Sequence, residues 1–366
     1  MADKTHIEWT DTSWNVVTGC EKVSQGCKHC YALREWPRLS ANPTTVYFGR
    51  KFTDVDFHPE RLHVPMQWSR PRKIFVNSMS DLFHSAVPFE QIAAVFGAMA
   101  MSPQHTFQIL TKRPERMKEF FDWVQFEGNK VHSPLHLCLT HFLRLGEDVP
   151  AKLESTVRSQ AEQEPGQWPL PNVWLGVSAE DQQTANVRIP LLLQVPAALH
   201  WLSAEPLLGP IDLTAIETDG EKWNTLSKEE SFDSYKIDWV VAGGESGTKA
   251  RPTLPHWLRS LQKQCADADV KFLMKQWGEW HTAAVKISTG EPVFREFATF
   301  QQSVNKANTW INGGQCFDRT GAPLCNGKDF AHARDNNGFP VTIMHKVGRK
   351  KAGRMLDGKL YDQYPE

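Results

Sequence analysis

The chain has 366 residues, 40% hydrophobic and 23% charged, a globular composition with room for one large domain and an appendage or for two domains. Its 41 basic and 42 acidic residues leave a net charge of −1, which excludes nucleic-acid binding by global charge and confines any basic surface to local patches. The start is polar and charged, unlike a secretory leader, and no apolar run reaches the ~18 residues that span a bilayer, so the expectation is a cytoplasmic protein without a membrane partner.

In chain order, residues 13–18 read as a short strand running into Cys20, Cys27 and Cys30, spaced C-x6-C-x2-C. In a reducing compartment such a cluster reads as metal or cluster ligands rather than as disulfides. Tyr31 to Leu39 reads as a helix interrupted by Pro37, and residues 40–70 as a basic-aromatic loop region. A regular pattern then begins. Strands at 73–76, 106–110, 172–177, 199–202, 237–242 and 270–274 alternate with helices at 88–101, from Pro114 to about Val124, at about 181–194 and at 255–266. Polar insertions interrupt it at about 125–170, with some helix around 150–162, and at 207–235.

With the strand before the cysteines, the count is seven, which suits a partial or distorted (β/α) TIM-like barrel over residues 1–280 better than an open doubly wound sheet. Residues 281–366 read as a small irregular β-containing appendage, ending in a basic Lys346–Lys359 run that suits a solvated tail or a phosphate-backbone contact. The 14 tryptophans are many for this length; some must be core, and the excess over a usual content leaves room for stacking surfaces.

Ligands of such folds sit at the carboxyl ends of the strands. That is where Asp81, Glu180, Glu205 and Glu245 fall, with Lys112, Arg113 and Lys275. Converging carboxylates are costly unless they bind hydroxyls, amines or metal. The cations suit either neutralisation of those carboxylates or a substrate phosphate. Gly243-Gly-Glu-Ser-Gly247 reads equally as a phosphate cradle and as a tight turn. Thiolates select zinc, copper(I) or iron–sulfur clusters. Structural zinc needs a fourth ligand, for which His29 sits too close to Cys27 and Cys30 and Cys316 or Cys325 would have to serve. A [4Fe–4S] cluster held by three cysteines instead keeps one iron open.

The three-cysteine loop after a first barrel strand resembles the radical S-adenosylmethionine superfamily. Cys27-Lys28-His29-Cys30 matches the second half of its C-x3-C-x-Φ-C motif, whereas the first spacing is six residues instead of three. More closely, the chain resembles phage-encoded and bacterial three-cysteine-motif proteins of uncharacterised function. The resemblance runs through Asn77–Phe83, Leu110–Pro114, Leu175–Ser178, Leu202–Leu208, Gly243–Gly247 and Lys275–Gly278, over most of residues 5–280. That likeness brings no established reaction with it, whereas the resemblance to the radical S-adenosylmethionine superfamily implies a [4Fe–4S] cluster on Cys20, Cys27 and Cys30, S-adenosyl-L-methionine on its open iron, an electron donor, and a 5'-deoxyadenosyl radical as the reactive product. Ser78, Ser80 and Asp81 would contact the methionyl amine, and Ser178 and Glu180 the ribose, with Ser203 among the cofactor contacts. Glu205, Glu245 and Lys275 are the catalytic candidates, and Lys112 and Arg113 the substrate-binding ones. The expected substrate is a nucleic acid or nucleotide derivative undergoing modification or repair. The alternatives are a zinc-stabilised nucleic-acid-binding module without turnover, and a divalent-metal hydrolase or nuclease.

Overall fold

Short apolar runs bounded by turn-forming residues build seven strands: β1 (Thr12–Trp14), β2 (Lys73–Val76), β3 (Thr106–Thr111), β4 (Val173–Ser178), β5 (Leu199–Ala204), β6 (Trp239–Gly243) and β7 (Lys271–Gln276). The computed structural model describes residues 5, 7–147, 151–162, 167–229 and 235–365. The strands join one sheet whose hydrogen-bonded order is the chain order, β1 through β7. Pairing is parallel, with Ile74 opposite Thr12 and Phe107, Ile109 opposite Leu175, and Val240 opposite Phe272. No strand is placed out of turn, so the sheet lacks the switch point of a doubly wound fold. Sequential parallel order is that of a (β/α) barrel, and β1 and β7 end the order without pairing with each other, which makes it partial. β4 and β5 are buried along their whole length, as strands of a parallel sheet covered on both faces are.

The helices up to β7 are α1 (Tyr31–Ser40), α2 (Phe89–Ala100), α3 (Pro114–Val131), α4 (Pro134–Leu145), α5 (Ala151–Glu162), α6 (Gln182–Leu193) and α7 (Pro255–Asp267), and later ones follow at Phe300–Trp310, Gly327–Asp335 and Arg349–Ala352. Three details differ from the sequence-based expectation. The strand expected over 13–18 is broken: Asn77 donates its main-chain N–H to Trp14 O and accepts Val17 N–H on its side chain, so β1 stops and Val17–Thr18 pairs antiparallel with Asp56–Phe57. α1 continues through Pro37 to Ser40, held by Trp36, which is buried against Tyr47 and Phe52 and donates from Nε1 to Arg50 O at 2.9 Å. The polar insertion at 125–170 is largely helical, comprising the end of α3 and all of α4 and α5. α4 buries Leu135, Leu137, Cys138, Leu139 and Phe142, and α2 meets it through Gly97, where a Cβ would strike the Cys138 carbonyl. Residues 148–150, 163–166 and 230–234 of the two insertions, and Met1–Lys4 and His6 of the polar start, lie outside the described residues. Among the described residues no helix is long and apolar enough to cross a membrane.

The chain divides into two compact units: Met1–Ser178 with Val187–Leu202 and Lys228–Ile237, and Ala179–Asn186 with Ser203–Ser227 and Asp238–Glu366. In the first, Trp9 packs edge-on to Phe75 and Trp201 at 4.7 and 5.1 Å, and Gly176 lets the Trp201 indole lie on β4. In the second, Trp239, Trp257 and Trp277 are fully buried. Much of the tryptophan excess is therefore core.

Also in the second unit, strands Trp280–His281, Arg295–Phe297, Gln315–Phe317 and Pro323–Leu324 assemble around Val341–Lys346 over an apolar cluster of Phe297, Cys316, Leu324, Ala333, Val341 and Ile343. The 207–235 insertion carries a hairpin, Ile216–Thr218 with Glu221–Trp223, turned by Asp219 and Gly220 at φ 53° and 80°, the positive-φ pair that a tight hairpin asks for. The C-terminal run is docked along its main chain, while Lys346, Arg349, Lys350, Lys351 and Lys359 stay exposed. Met274 N–H donates to Tyr361 O, Arg354 Nε to Met274 O, Trp277 Nε1 to Met355 O and Trp239 Nε1 to Gln363 O, so the last residues strap β7, the sheet's edge strand.

Candidate functional site

The cysteine loop leaves the carboxyl end of β1 through Gly19, whose φ of 93° favours glycine and whose missing Cβ makes room for the Asp54 carbonyl. Main-chain bonds fix the loop on both sides, from Gly19 N–H to Met79 O at 3.3 Å and from Cys20 N–H to Phe52 O at 2.8 Å. Thr18, just before it, accepts from Arg50 Nη1 at 3.0 Å and shares a hydrogen bond with His58 Nε2 at 2.8 Å, and burial holds the His58 pKa below its ordinary value. A single 3-10 turn over Gln25–Cys27 brings Cys27 round, and Cys30 caps α1. All three cysteines are half-buried.

The ends of β2 and β3 underpin this loop. Asn15 Oδ1 accepts from Ser78 Oγ at 3.1 Å and Met79 N–H at 3.0 Å, Ser80 Oγ donates to Val17 O at 2.8 Å, and the Tyr31 hydroxyl donates to Ser78 O. Asp81 is buried. Its Oδ1 accepts from Thr111 Oγ1 at 2.8 Å and Phe83 N–H at 3.0 Å, and its Oδ2 from the Lys112 N–H and from Arg113 Nη1, both at 3.1 Å. Arg113 extends onward, from Nη1 to Cys20 Sγ at 3.7 Å and from Nη2 to Glu21 O at 3.2 Å. Of the residues singled out in the sequence, Cys20, Ser78, Ser80, Asp81, Lys112 and Arg113 thus meet in one hydrogen-bonded neighbourhood. Asn15, Arg50, His58 and Asn77, which support it, carry no metal-type spacing; the one local signal was an Asn at the end of an apolar run, and Asn77 does adopt a φ of 62°.

Burial, then the nearby Asp81 carboxylate, push the Cys20 thiol up to about 11, while Arg113 pulls against both and Cys27 adds to the rise. Cys20 and Cys27 are therefore close enough to feel each other's charge. Burial works against the Arg113 cation, but Asp81 and Cys20 outweigh it and hold its pKa above the usual value. Burial and Arg113 keep His84 neutral; its Nδ1 accepts from Ala86 N–H at 3.1 Å, which leaves the proton on Nε2.

The chemistry of this donor set fits a thiophilic group: three sulfurs on one partly exposed loop, with a guanidinium ready to offset thiolate charge. Two buried polar atoms nearby, Asn77 Nδ2 at the foot of the loop and His84 Nε2 within electrostatic reach of Arg113 and Asp81, find no hydrogen-bond partner among the described residues. Among the described residues no three His, Cys, Asp or Glu side chains come together as a group that could hold a single metal ion, Cys20, Cys27 and Cys30 included. Cys316 is a core thiol, pushed up to about 11 by burial, and Cys325 is exposed.

Ser178 is buried at the end of β4, its carbonyl accepting from Arg188 Nη1 at 2.7 Å. The second unit holds the other candidates. Glu180 is fully buried, with its carbonyl accepting from Leu208 N–H at 2.7 Å, and the Ser203 carbonyl accepts from Ala179 N–H at 3.0 Å. Glu205 pairs with Lys275 Nζ at 2.7 Å and accepts from Gln276 Nε2 at 3.1 Å, which also reaches Ser246 Oγ at 3.0 Å. Glu245 is buried and bidentate to Arg251, at 3.0 Å from Nε and 2.7 Å from Nη2. Gly244 N–H donates to Gln276 O at 2.8 Å and Gly247 N–H to Glu279 Oε1 at 2.9 Å. A Cβ at Gly244 would strike the Trp277 carbonyl. The Gly243–Gly247 stretch therefore behaves as a tight turn packed on its neighbour, with two of its amides already used.

Fold and site together define a class: an α/β protein built on a sequentially ordered parallel sheet, with a three-cysteine loop at the carboxyl end of its first strand. More particularly, the chain belongs to the family described as protein of unknown function (DUF5131), whose model matches residues 4–365. No curated protein and no solved structure matches it.

Proposed function

We propose that this protein is a radical S-adenosylmethionine-type iron–sulfur enzyme acting on a nucleic acid or nucleotide-derived substrate, in modification or repair. The observation that carries the reading is the set of three half-buried thiols on one loop at the end of β1, backed by the Asp81–Arg113 pair. Cys20, Cys27 and Cys30 would hold a [4Fe–4S] cluster, three thiolates leaving one iron for an outside ligand. When bound, that cluster supplies an electron to S-adenosyl-L-methionine, whose reductive cleavage gives the 5'-deoxyadenosyl radical. The chain's own residues supply position: Ser78, Ser80 and Asn15 fix the loop, and Asp81 holds Arg113 against Cys20. A divalent-metal hydrolase draws less support, because Asp81, Glu205 and Glu245 are each already committed to a basic side chain.

Anaerobic reconstitution of the full chain with iron and sulfide tests the proposal. The expected result is a brown protein with about four irons per chain, losing both colour and iron in Cys30→Ala, and releasing 5'-deoxyadenosine from S-adenosyl-L-methionine under reductant. A colourless protein with one tightly held zinc would overturn it in favour of a zinc-stabilised nucleic-acid-binding module.

A further inference from the structure

We propose that Arg113 is a positioning residue that places a cationic hydrogen bond on the Cys20 sulfur and so raises the reduction potential of the cluster on Cys20, Cys27 and Cys30. This inference rests on the function proposed above and adds a residue role to it. In the sequence Arg113 reads as a substrate-phosphate ligand or a neutralising charge. In the fold its guanidinium is spent on the loop itself: Nη1 reaches Asp81 Oδ2 at 3.1 Å and Cys20 Sγ at 3.7 Å, and Nη2 reaches Glu21 O at 3.2 Å.

That fork is preorganised rather than adventitious. Asp81 is fixed by Thr111 Oγ1, Phe83 N–H and Lys112 N–H, and Thr111 Oγ1 also accepts the Arg113 main-chain N–H at 2.9 Å. The side chains of Arg113 and Asp81 are 14% and 8% exposed, so water screens the contact little. The planar guanidinium can serve carboxylate, sulfur and carbonyl at once, which a lysine ammonium cannot do from the same position. A cluster gains negative charge on reduction, and hydrogen bonds to its sulfurs together with nearby charge set its potential. A cationic donor on a ligand sulfur stabilises the reduced form most, so removing it makes the cluster harder to reduce.

The test is an EPR-monitored redox titration of the reconstituted full chain without S-adenosyl-L-methionine, comparing wild type, Arg113→Gln, Arg113→Lys and a charge control, Lys130→Gln, on the exposed far end of α3. Arg113→Gln is expected to load iron and to disfavour reduction about tenfold, a midpoint about 59 mV more negative for a one-electron step. Arg113→Lys should fall between it and wild type, and Lys130→Gln should match wild type. An iron-loaded Arg113→Gln with an unmoved midpoint overturns the inference and leaves the proposed function standing, and so does a shift of equal size in Lys130→Gln. If Arg113→Gln fails to fold, Arg113→Lys decides, since an unmoved midpoint there excludes a role for the fork. Wild type that takes up no iron overturns the function and this inference with it.

Discussion

At the scale of single residues, the cysteine loop depends on a position that bears no reactive group. Gly19 combines a φ of 93° with a contact that leaves no space between its α-carbon and the Asp54 carbonyl. Gly19→Ala is therefore expected to destabilise the chain by about 1–3 kcal/mol, through backbone strain and a displaced 50–56 segment. A lower urea midpoint and a loss of reconstituted iron would show it; an unchanged midpoint would mean that the loop has another way to close. The three cysteines were legible because their chemistry is local and their spacing is visible in one line of sequence. The pairing of Asp81 with Arg113 was not. The two are 32 positions apart, and which side chains meet at the ends of β2 and β3 is set by the register that puts Val76 opposite Ile109. The same holds for Glu245, whose bidentate partner Arg251 lies past a glycine turn whose path only the fold defines.

At the scale of elements, β7 is an edge strand of a parallel sheet, and such an edge invites pairing with another chain unless something covers it. Here the last residues do so, through Leu273 bridged to Asp362 and the bonds from Met274, Trp277 and Arg354. Removing residues 354–366 is expected to uncover β7 and produce soluble aggregates, detectable by light scattering within a preparation that starts monodisperse. A truncated chain that stays monodisperse with an unchanged melting temperature would refute the covering role. The strap was hard to read in sequence because its charge suggested solvent, whereas its attachments are mostly main-chain and indole hydrogen bonds that any composition could make. All seven sheet strands, by contrast, were legible, since short branched and aromatic runs between turn residues carry their own signal. α4 was hidden for a related reason. Its partner α2 is buried over nine consecutive positions, Ile92 to Ala100, so neither helix had to show a clear polar face.

Across the whole molecule, buried imidazoles recur in both units and give stability a definite pH dependence. His58, His84, His105, His141 and His281 are each under 9% exposed, and burial, in every case the largest cause, lowers each below the ordinary histidine value of 6.5. The folded chain therefore keeps them neutral at pH values where the unfolded chain already takes up protons. Stability rises with pH wherever the unfolded state binds more protons, by about 1.4 kcal/mol per pH unit for each proton of difference. These histidines thus contribute their full share above pH 6.5, and that share is lost as the pH falls from there through their folded values. Asp357 acts in the same direction at lower pH, because its hydrogen bond and charge pairing with Arg259 hold its carboxyl below the ordinary 3.8. Urea midpoints at pH 7.5, 6.5, 5.5 and 4.5 are expected to change little over the first step and to fall steeply over the next two. A midpoint that stays level from pH 6.5 to 4.5 would mean that these rings are already charged in the fold. His58 is the ring of this set that lies nearest the cysteine loop in sequence, and it shares a hydrogen bond with Thr18, one residue before Gly19.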